Sequence, residues 1–295
     1  MALHQRIAVT GSSGLIGSAL VGYLKSEGHT VQRLIRRKPI APDEVQWDPA
    51  AGTIDLAPLE GVDAVIHLAG AGVGDKRWTR KYKAQILNSR LYGTTTIASA
   101  VEKIKPSVFI SSSAIGWYGE TGNRSCVEND RAGDDFLASV CKEWEAAADL
   151  AGDIRTVKLR TGLVLDPTGG ALGRMMPLFK FGLGGKLGNG KQWWSWITLH
   201  DQIRAIAFLL EKNVSGPVNL TAPNPVTNSE FTAALARALR RPALFPVPGF
   251  ALKVALGGFS TEILGSKKVL PEKLIEAGFE FDYPHVGPAL VELVK

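Results

Sequence analysis

The sequence predicts an α/β fold, a doubly wound parallel sheet that carries a small C-terminal substrate-side subdomain. Three observations predict it. Short apolar or β-branched runs recur at residues 6–9, 30–35, 64–68, 107–111, 156–159 and 217–220, with helix-like segments between them, the alternation that builds parallel sheets. Between the first two runs, Leu15, Ala19, Leu20 and Leu24 fall on one helical face and the pattern stops near Gly28, as for a helix packed on a sheet. No internal repeat or low-complexity linker divides the chain, so the C-terminal part is expected to pack against the sheet.

Composition narrows the function classes. A chain of 295 residues, 45% hydrophobic and 21% charged, is long enough to bury one large core or one and a half domains. The net charge of +6 comes from basic residues scattered along the chain; without a basic arm or an RNA-binding signature, no nucleic-acid partner is expected. No apolar run approaches the roughly 20 residues of a membrane span, and the start MALHQRIAVTGSSG lacks a signal-peptide core. The expectation is a cytoplasmic protein with no membrane partner. Cys126 and Cys141 are the only cysteines, too few for a disulfide framework. With five histidines, they show no metal-ligand spacing, so no metal is expected.

The most informative stretch is IAVTGSSGLIGSAL. Gly11, Gly14 and Gly17, with Ser12, Ser13, Leu15 and Ile16 between them, lie where a strand turns into a helix. Glycines there let the backbone approach a pyrophosphate, whose charge the free N–H groups at the helix start stabilise. This is a Rossmann-type nucleotide site. At the end of the second strand, TVQRLIRRKP offers no acid for a ribose 2′-hydroxyl. It offers Arg36 and Arg37, which favour the 2′-phosphate of NADP, with Arg36 the main candidate.

Further motifs carry a resemblance. VTGSSGLIG, AVIHLAGAG, FISSSAIGWYG and SWITLHDQ resemble the extended short-chain dehydrogenase/reductases, the epimerase/dehydratase superfamily, over about residues 5–220. GAGVGDKRWT, ILNSRLYGTT, KLRTGLVLDPTGGAL, GLGGKLGNGKQWWSWI and KVLPEKLIEAGFEFDYP extend the likeness nearly end to end, to an atypical subgroup with its own C-terminal domain of unknown function. The resemblance implies that Leu68, Ala69 and Gly70 line the ribose side of the cofactor and that Ser113 stands where the catalytic serine does. Lys142 matches the lysine that holds the nicotinamide ribose. Arg90 falls at the position of a cofactor-directed asparagine, with Gln85 a weaker candidate on the same helix, and residues 160–164, ending at Val164, border the nicotinamide. Residues 1–165 are then the NADP-binding domain, and residues 166–295 supply substrate-side loops, returning sheet elements and a small helical domain. Superfamily relatives often pair through a helix bundle, so a homodimer is an open expectation.

One departure matters. Four residues before Lys142, where the resemblance implies a tyrosine, stands Ala138. That tyrosine normally supplies the proton that accompanies hydride transfer. Tyr118 is the first candidate to replace it, unless it is a structural corner. Glu120 is either a base or a solvated loop carboxylate, Lys142 either a proton donor or a ribose ligand, and Cys141 either a redox thiol or an inert buried one. His200 and Asp201 are adjacent and so poorly placed to pair; Asp201 reads better as a helix cap. Residues 166–196 read as glycine-rich substrate loops; Trp193, Trp194, Trp196, Met175 and Met176 there, with Trp78 in an earlier loop, line either a pocket or the core. Lys76, Arg77 and Arg174 suit an anionic substrate. The reading is an NADP-binding oxidoreductase or epimerase-like protein acting on a small organic, anionic or nucleotide-sugar-like substrate. The alternative is a non-catalytic NADP(H) sensor.

Overall fold

A computed structural model describes residues 4–295. β1 (Arg6–Thr10) leads into α1 (Leu15–Ser26), then β2 (Thr30–Ile35), β3 (Glu44–Asp48), β4 (Thr53–Ile54), β5 (Ala64–His67), α2 (Arg80–Ile104) and β6 (Val108–Ala114). After the short β7 (Ser125–Cys126) come α3 (Phe136–Ala148), β8 (Arg155–Thr161), β9 (Leu163–Asp166), α4 (Gly170–Lys180), β10 (Trp193–Trp194), β11 (Trp196–Thr198), α5 (Leu199–Glu211) and β12 (Gly216–Leu220). The remainder is β13 (Val226–Thr227), α6 (Asn228–Leu239), α7 (Gly249–Leu256), α8 (Ser260–Leu264), β14 (Lys268–Val269), α9 (Glu272–Glu276) and α10 (Val286–Leu293).

The main sheet has the order β12-β8-β6-β5-β1-β2-β3-β4, parallel except at the β3/β4 edge. β2 lies on one side of β1 and β5 on the other, so the winding reverses between β1 and β5. That reversal opens a crevice at the carboxyl ends of the strands, where such folds bind ligands. Ile7, Val9, Ile66, Ile110 and Leu159 pack on one face against Leu20 and Leu24 of α1 and Ile206 and Leu209 of α5. Ala8, Val65 and Phe109 pack on the other against Ile97 and Val101 of α2. A separate core joins Leu165, Leu172, Met176, Phe179 and Trp196 to Phe231 and Leu235 of α6 and Leu290 of α10.

All six expected strands lie in this sheet, and α1 ends at Ser26, just before Gly28 as expected. The glycine-rich stretch after residue 165 departs from expectation, because it contains α4. Glycines and Pro177 dilute its periodicity, yet Leu172, Met176 and Phe179 face the C-terminal core at helical spacing. The expected C-terminal helical part is present as α6 to α10, with α7 beginning at Gly249. Thr79, Asp135 and Thr198 cap α2, α3 and α5 with side-chain oxygens. α1 starts at Gly14 with no side-chain cap. Among the described residues, no helix is long and apolar enough to cross a membrane.

Candidate functional site

The glycine loop is shaped by the absence of side chains. Gly11 has φ +68°, and a Cβ on it would lie 2.8 Å from the carbonyl carbon of Leu68; one on Gly17 would lie 2.1 Å from Gly11 O. The turn therefore sits directly on the first turn of α1, whose uncapped N–H groups are left for a ligand. Thr10 ties the two sides of the crevice together: its Oγ1 accepts from Leu68 N (3.0 Å) and Ala69 N (3.2 Å) and lies 2.8 Å from His67 Nδ1. Burial drives the His67 pKa down to about 3, so the ring is neutral at the switch point.

A cleft of about 310 Å³ opens here, bounded by the glycine loop, Leu15 and Ile16, by Leu68 and Ser112 at the strand ends, and by residues 162–164 and 170–171 opposite. Ser13 is exposed and Ser12 half-buried, and neither lines the cleft. Val164 stands on the cleft wall, as expected. Ala69 is half-buried behind Thr10, and Gly70 is exposed.

The two strand-end arginines have different fates. Arg37 is committed to Glu44, its Nη2 lying 2.5 Å from Oε1 and its Nη1 2.8 Å from Oε2, and this bonding holds the Glu44 carboxyl down at about 2. Arg37 is thereby removed from the pair of phosphate candidates. Arg36 is exposed, with no hydrogen-bond or ion-pair partner among the described residues. Gln85 is also exposed, away from the cleft wall. Arg90 is turned to structural use: Nη1 donates to Ala71 O (2.9 Å) and Ile86 O (3.1 Å), and the guanidinium lies over the Trp144 ring at 4.7 Å.

The residues expected to act catalytically are not gathered in the cleft. Ser113 points to the α3 side of β6 and donates to Glu145 Oε1 at 2.7 Å in a sealed network. Its neighbour Ser112, on the opposite face of the strand, lines the cleft. Tyr118 is 2% exposed; its hydroxyl donates to Asn219 Oδ1 (2.7 Å) and accepts from Arg160 Nη1 (3.1 Å). Burial raises its pKa, so it is the structural corner and not a replacement acid. Lys142 is exposed, is no part of the cleft wall and has no partner among the described residues.

With this geometry in place, the comparisons decide the lineage. A model described as the NAD dependent epimerase/dehydratase family matches residues 7–221. The chain belongs to that family. Residues 247–293 of this epimerase-family protein match a domain of unknown function, DUF1731. Epimerase family protein ML0860 of Mycobacterium leprae is 44% identical over 289 residues, covering 96% of this chain and 94% of its own. Human epimerase family protein SDR39U1 is 35% identical over 297 residues, covering 98% of this chain and 99% of its own. The crystal structure of human SDR39U1 isoform 2 with NADPH superposes with a TM-score of 0.90 at 33% identity, covering 98% of each chain.

The place of the expected tyrosine in this family member is filled. Ala138 is wholly buried, and the turn Ile115–Tyr118 rests on α3 so closely that a Cβ on Gly116 would lie 3.2 Å from Leu137 Cβ and 3.5 Å from Cys141 Sγ. Installing the ring with Ala138→Tyr is expected to cost about 3 kcal/mol of stability by overpacking and to add no turnover. Denaturant unfolding and a carbonyl-reduction assay on the same sample check both parts.

The remaining candidates resolve as structure. Cys141 is buried against Ala114 O, and burial pushes its thiol up to about 12, leaving it inert. Glu120 clips loops together by accepting from Gly122 N (3.1 Å) and Ser266 N (2.8 Å). Asp201 does not cap α5, since Thr198 does; its carboxylate accepts from Asp282 N and Tyr283 N and so fastens the C-terminal segment. His200, Asp201 and Asp282 bring donor atoms within 4.8 Å of one another, but Arg204 Nη1 stands 3.0 Å from both carboxylates and already supplies the positive charge. Trp196 and Met176 are core, with Met175 and Trp194 packed against it; Trp193 donates to Asn123 Oδ1. Trp78 belongs to a strap, residues 72–78. The strap is held against α4 by Arg174, which donates to Gly74 O (2.6 Å) and Asp75 Oδ1 (3.0 Å). Lys76 and Arg77 stand exposed on it without ion-pair partners among the described residues.

Proposed function

We propose that this epimerase-family protein binds NADP(H) and acts as an oxidoreductase of epimerase type on a small anionic organic substrate, residues 1–165 holding the cofactor and residues 166–295 covering the substrate. The observation that carries the reading is the unpaired Arg36 at the end of β2, beside a glycine turn closed to any Cβ, with Arg37 engaged elsewhere. The residues present fit a dinucleotide: uncapped N–H groups of α1 for the pyrophosphate and Arg36 for a 2′-phosphate. The NADPH in the crystal structure of human SDR39U1 supports the choice of dinucleotide.

When bound, NADPH supplies a hydride. The chain's own part is to position and exclude. Leu68, Leu163 and Val164 give the cleft an apolar wall, and Ser112 offers the hydroxyl there that orients a substrate oxygen. Lys76 and Arg77 draw an anionic group to the strap. No carboxylate, imidazole, phenol or amine lies among the lining residues, so in this reading the proton comes from water at the open mouth. The same lining favours the second reading, a non-catalytic NADP(H) sensor.

NADPH deuterated at its transferable position separates the two. Incubated with small carboxylated ketones and aldehydes, the enzyme moves deuterium into product, read by mass spectrometry, and Ser112→Ala slows that transfer by roughly 10- to 100-fold. Tight NADPH binding with no deuterium in any product would leave the sensor. Unchanged transfer in Ser112→Ala would remove Ser112 from the mechanism.

A further inference from the structure

Two stretches, residues 167–200 and 231–261, contain eight lysines or arginines and no aspartate or glutamate. Along the sequence these charges look scattered. Folding gathers them. Phe245 N donates to Gly184 O (3.3 Å), Val247 N to Lys186 O (2.9 Å) and Gly188 N to Val247 O (2.9 Å), lacing the loop after α4 to the loop before α7.

The surface so formed is both apolar and basic. Seven of the twelve exposed large hydrophobic residues lie on it, with Phe181, Leu244, Phe250 and Val254 each 71 to 80% exposed. On α7, Phe250 and Val254 are one turn apart with Lys253 beside them, while Leu252 is buried on the inner side. Lys180, Lys186, Arg240, Arg241 and Lys253 are exposed, with no ion-pair partner among the described residues. A cluster of exposed apolar side chains rimmed by basic ones marks an interaction site.

We propose that this face docks on an anionic lipid bilayer. Phe181, Leu244, Phe250 and Val254 enter the boundary between headgroups and acyl chains, and the five basic residues lie among lipid phosphates. A second copy is a poor occupant, because a two-fold contact would set these unpaired basic residues against themselves. The apolar groups protrude on loops and an outer helix face instead of lining a groove, which suits a deformable bilayer. α4 runs from the cleft wall at residues 170–171 to the patch at Leu178 and Lys180, about 15 Å at 1.5 Å per residue. A docked molecule therefore holds its cleft one helix length from the bilayer. The proposal rests on observations separate from those behind the cofactor assignment.

Vesicle co-sedimentation of the full chain tests it, with phosphatidylcholine alone and phosphatidylcholine mixed with phosphatidylglycerol. The wild type is expected to bind only the anionic vesicles, and less as salt rises. Phe250→Asp/Val254→Asp and, separately, Lys180→Glu/Lys253→Glu are each expected to lower partitioning by roughly tenfold or more while leaving thermal unfolding and NADPH affinity unchanged. Equal binding to neutral vesicles, or none to either, would overturn the proposal. So would a wild-type dimer in analytical ultracentrifugation that Phe250→Asp/Val254→Asp makes monomeric, since a second copy would then be the occupant. If one double variant misfolds, the other still decides the outcome.

Discussion

Glu145→Ala is expected to remove about 3–5 kcal/mol of stability, the cost of leaving a buried charge without its partner. Arg160 Nε meets Glu145 Oε1 at 2.8 Å and Nη2 meets Oε2 at 3.0 Å, with the two side chains 3% and 6% exposed. The same guanidinium donates to Glu128 O (2.9 Å) and Tyr118 Oη (3.1 Å) and lies 3.9 Å from the centroid of the Trp117 ring. Ser113 completes the carboxylate's bonding. This cluster joins β6, α3, β8 and the turn after β6, so its loss loosens the floor beneath the cleft. At roughly 2–4 °C per kcal/mol for a chain of this order, the melting temperature falls by about 10 °C. Replacing both partners with apolar residues, Glu145→Leu/Arg160→Met, is expected to recover part of the loss, because no charge is then stranded. Calorimetry on the single and double variants checks both statements, and a single-variant loss below about 1 kcal/mol would mean that water reaches the pair.

Gly17→Ala is expected to weaken NADPH binding by about a hundredfold, the scale of losing two hydrogen bonds to a charged group at about 1.5 kcal/mol each. The methyl carbon would sit 2.1 Å from Gly11 O and 2.8 Å from Gly11 C, and both atoms belong to the backbone of the glycine turn proposed to hold the phosphates. Nothing flexible is available to yield, so the turn or the first turn of α1 must move and its N–H groups with it. Fluorescence titration reads the affinity, and unfolding measured without nucleotide separates it from global damage. An affinity within threefold of wild type, roughly 0.7 kcal/mol, would place the phosphates elsewhere.

What could be read in the sequence was what local sterics and short-range periodicity encode. The glycine turn declared itself because Gly14 and Gly17 are needed by contacts with Gly11 within seven residues, although Gly11 itself is held close to the distant Leu68, and the strands declared themselves because burial makes them short apolar runs. Arg36 was the main candidate from its place at the strand end, but the reason Arg37 is unavailable, its pairing with Glu44, could not be read. That residue belongs to β3, and only the β2/β3 pairing, with Arg33 opposite Glu44, brings it to Arg37. Ser112 and Ser113 differ only in strand face. Alternation says that the two faces differ, but not which one borders the cleft. Lys142 follows Ala138 at the expected spacing, yet it sits at the edge of the outer stripe of α3, which also carries Ser139, Glu143 and Ala146. α4 and the basic apolar face were missed because glycine dilution hides the helix and because chain order does not record which loops lie side by side.

The measurement that bears most directly on the central claim is a paired titration of wild type, Arg36→Ala and Arg37→Ala with NADPH and NADH. The structure leads to tighter binding of NADPH than NADH by wild type, a loss of roughly tenfold or more in that preference in Arg36→Ala, the worth of one hydrogen bond to a charged group, and a preference kept in Arg37→Ala. Equal affinity for the two dinucleotides, or a preference that depends on Arg37 and not on Arg36, would contradict it.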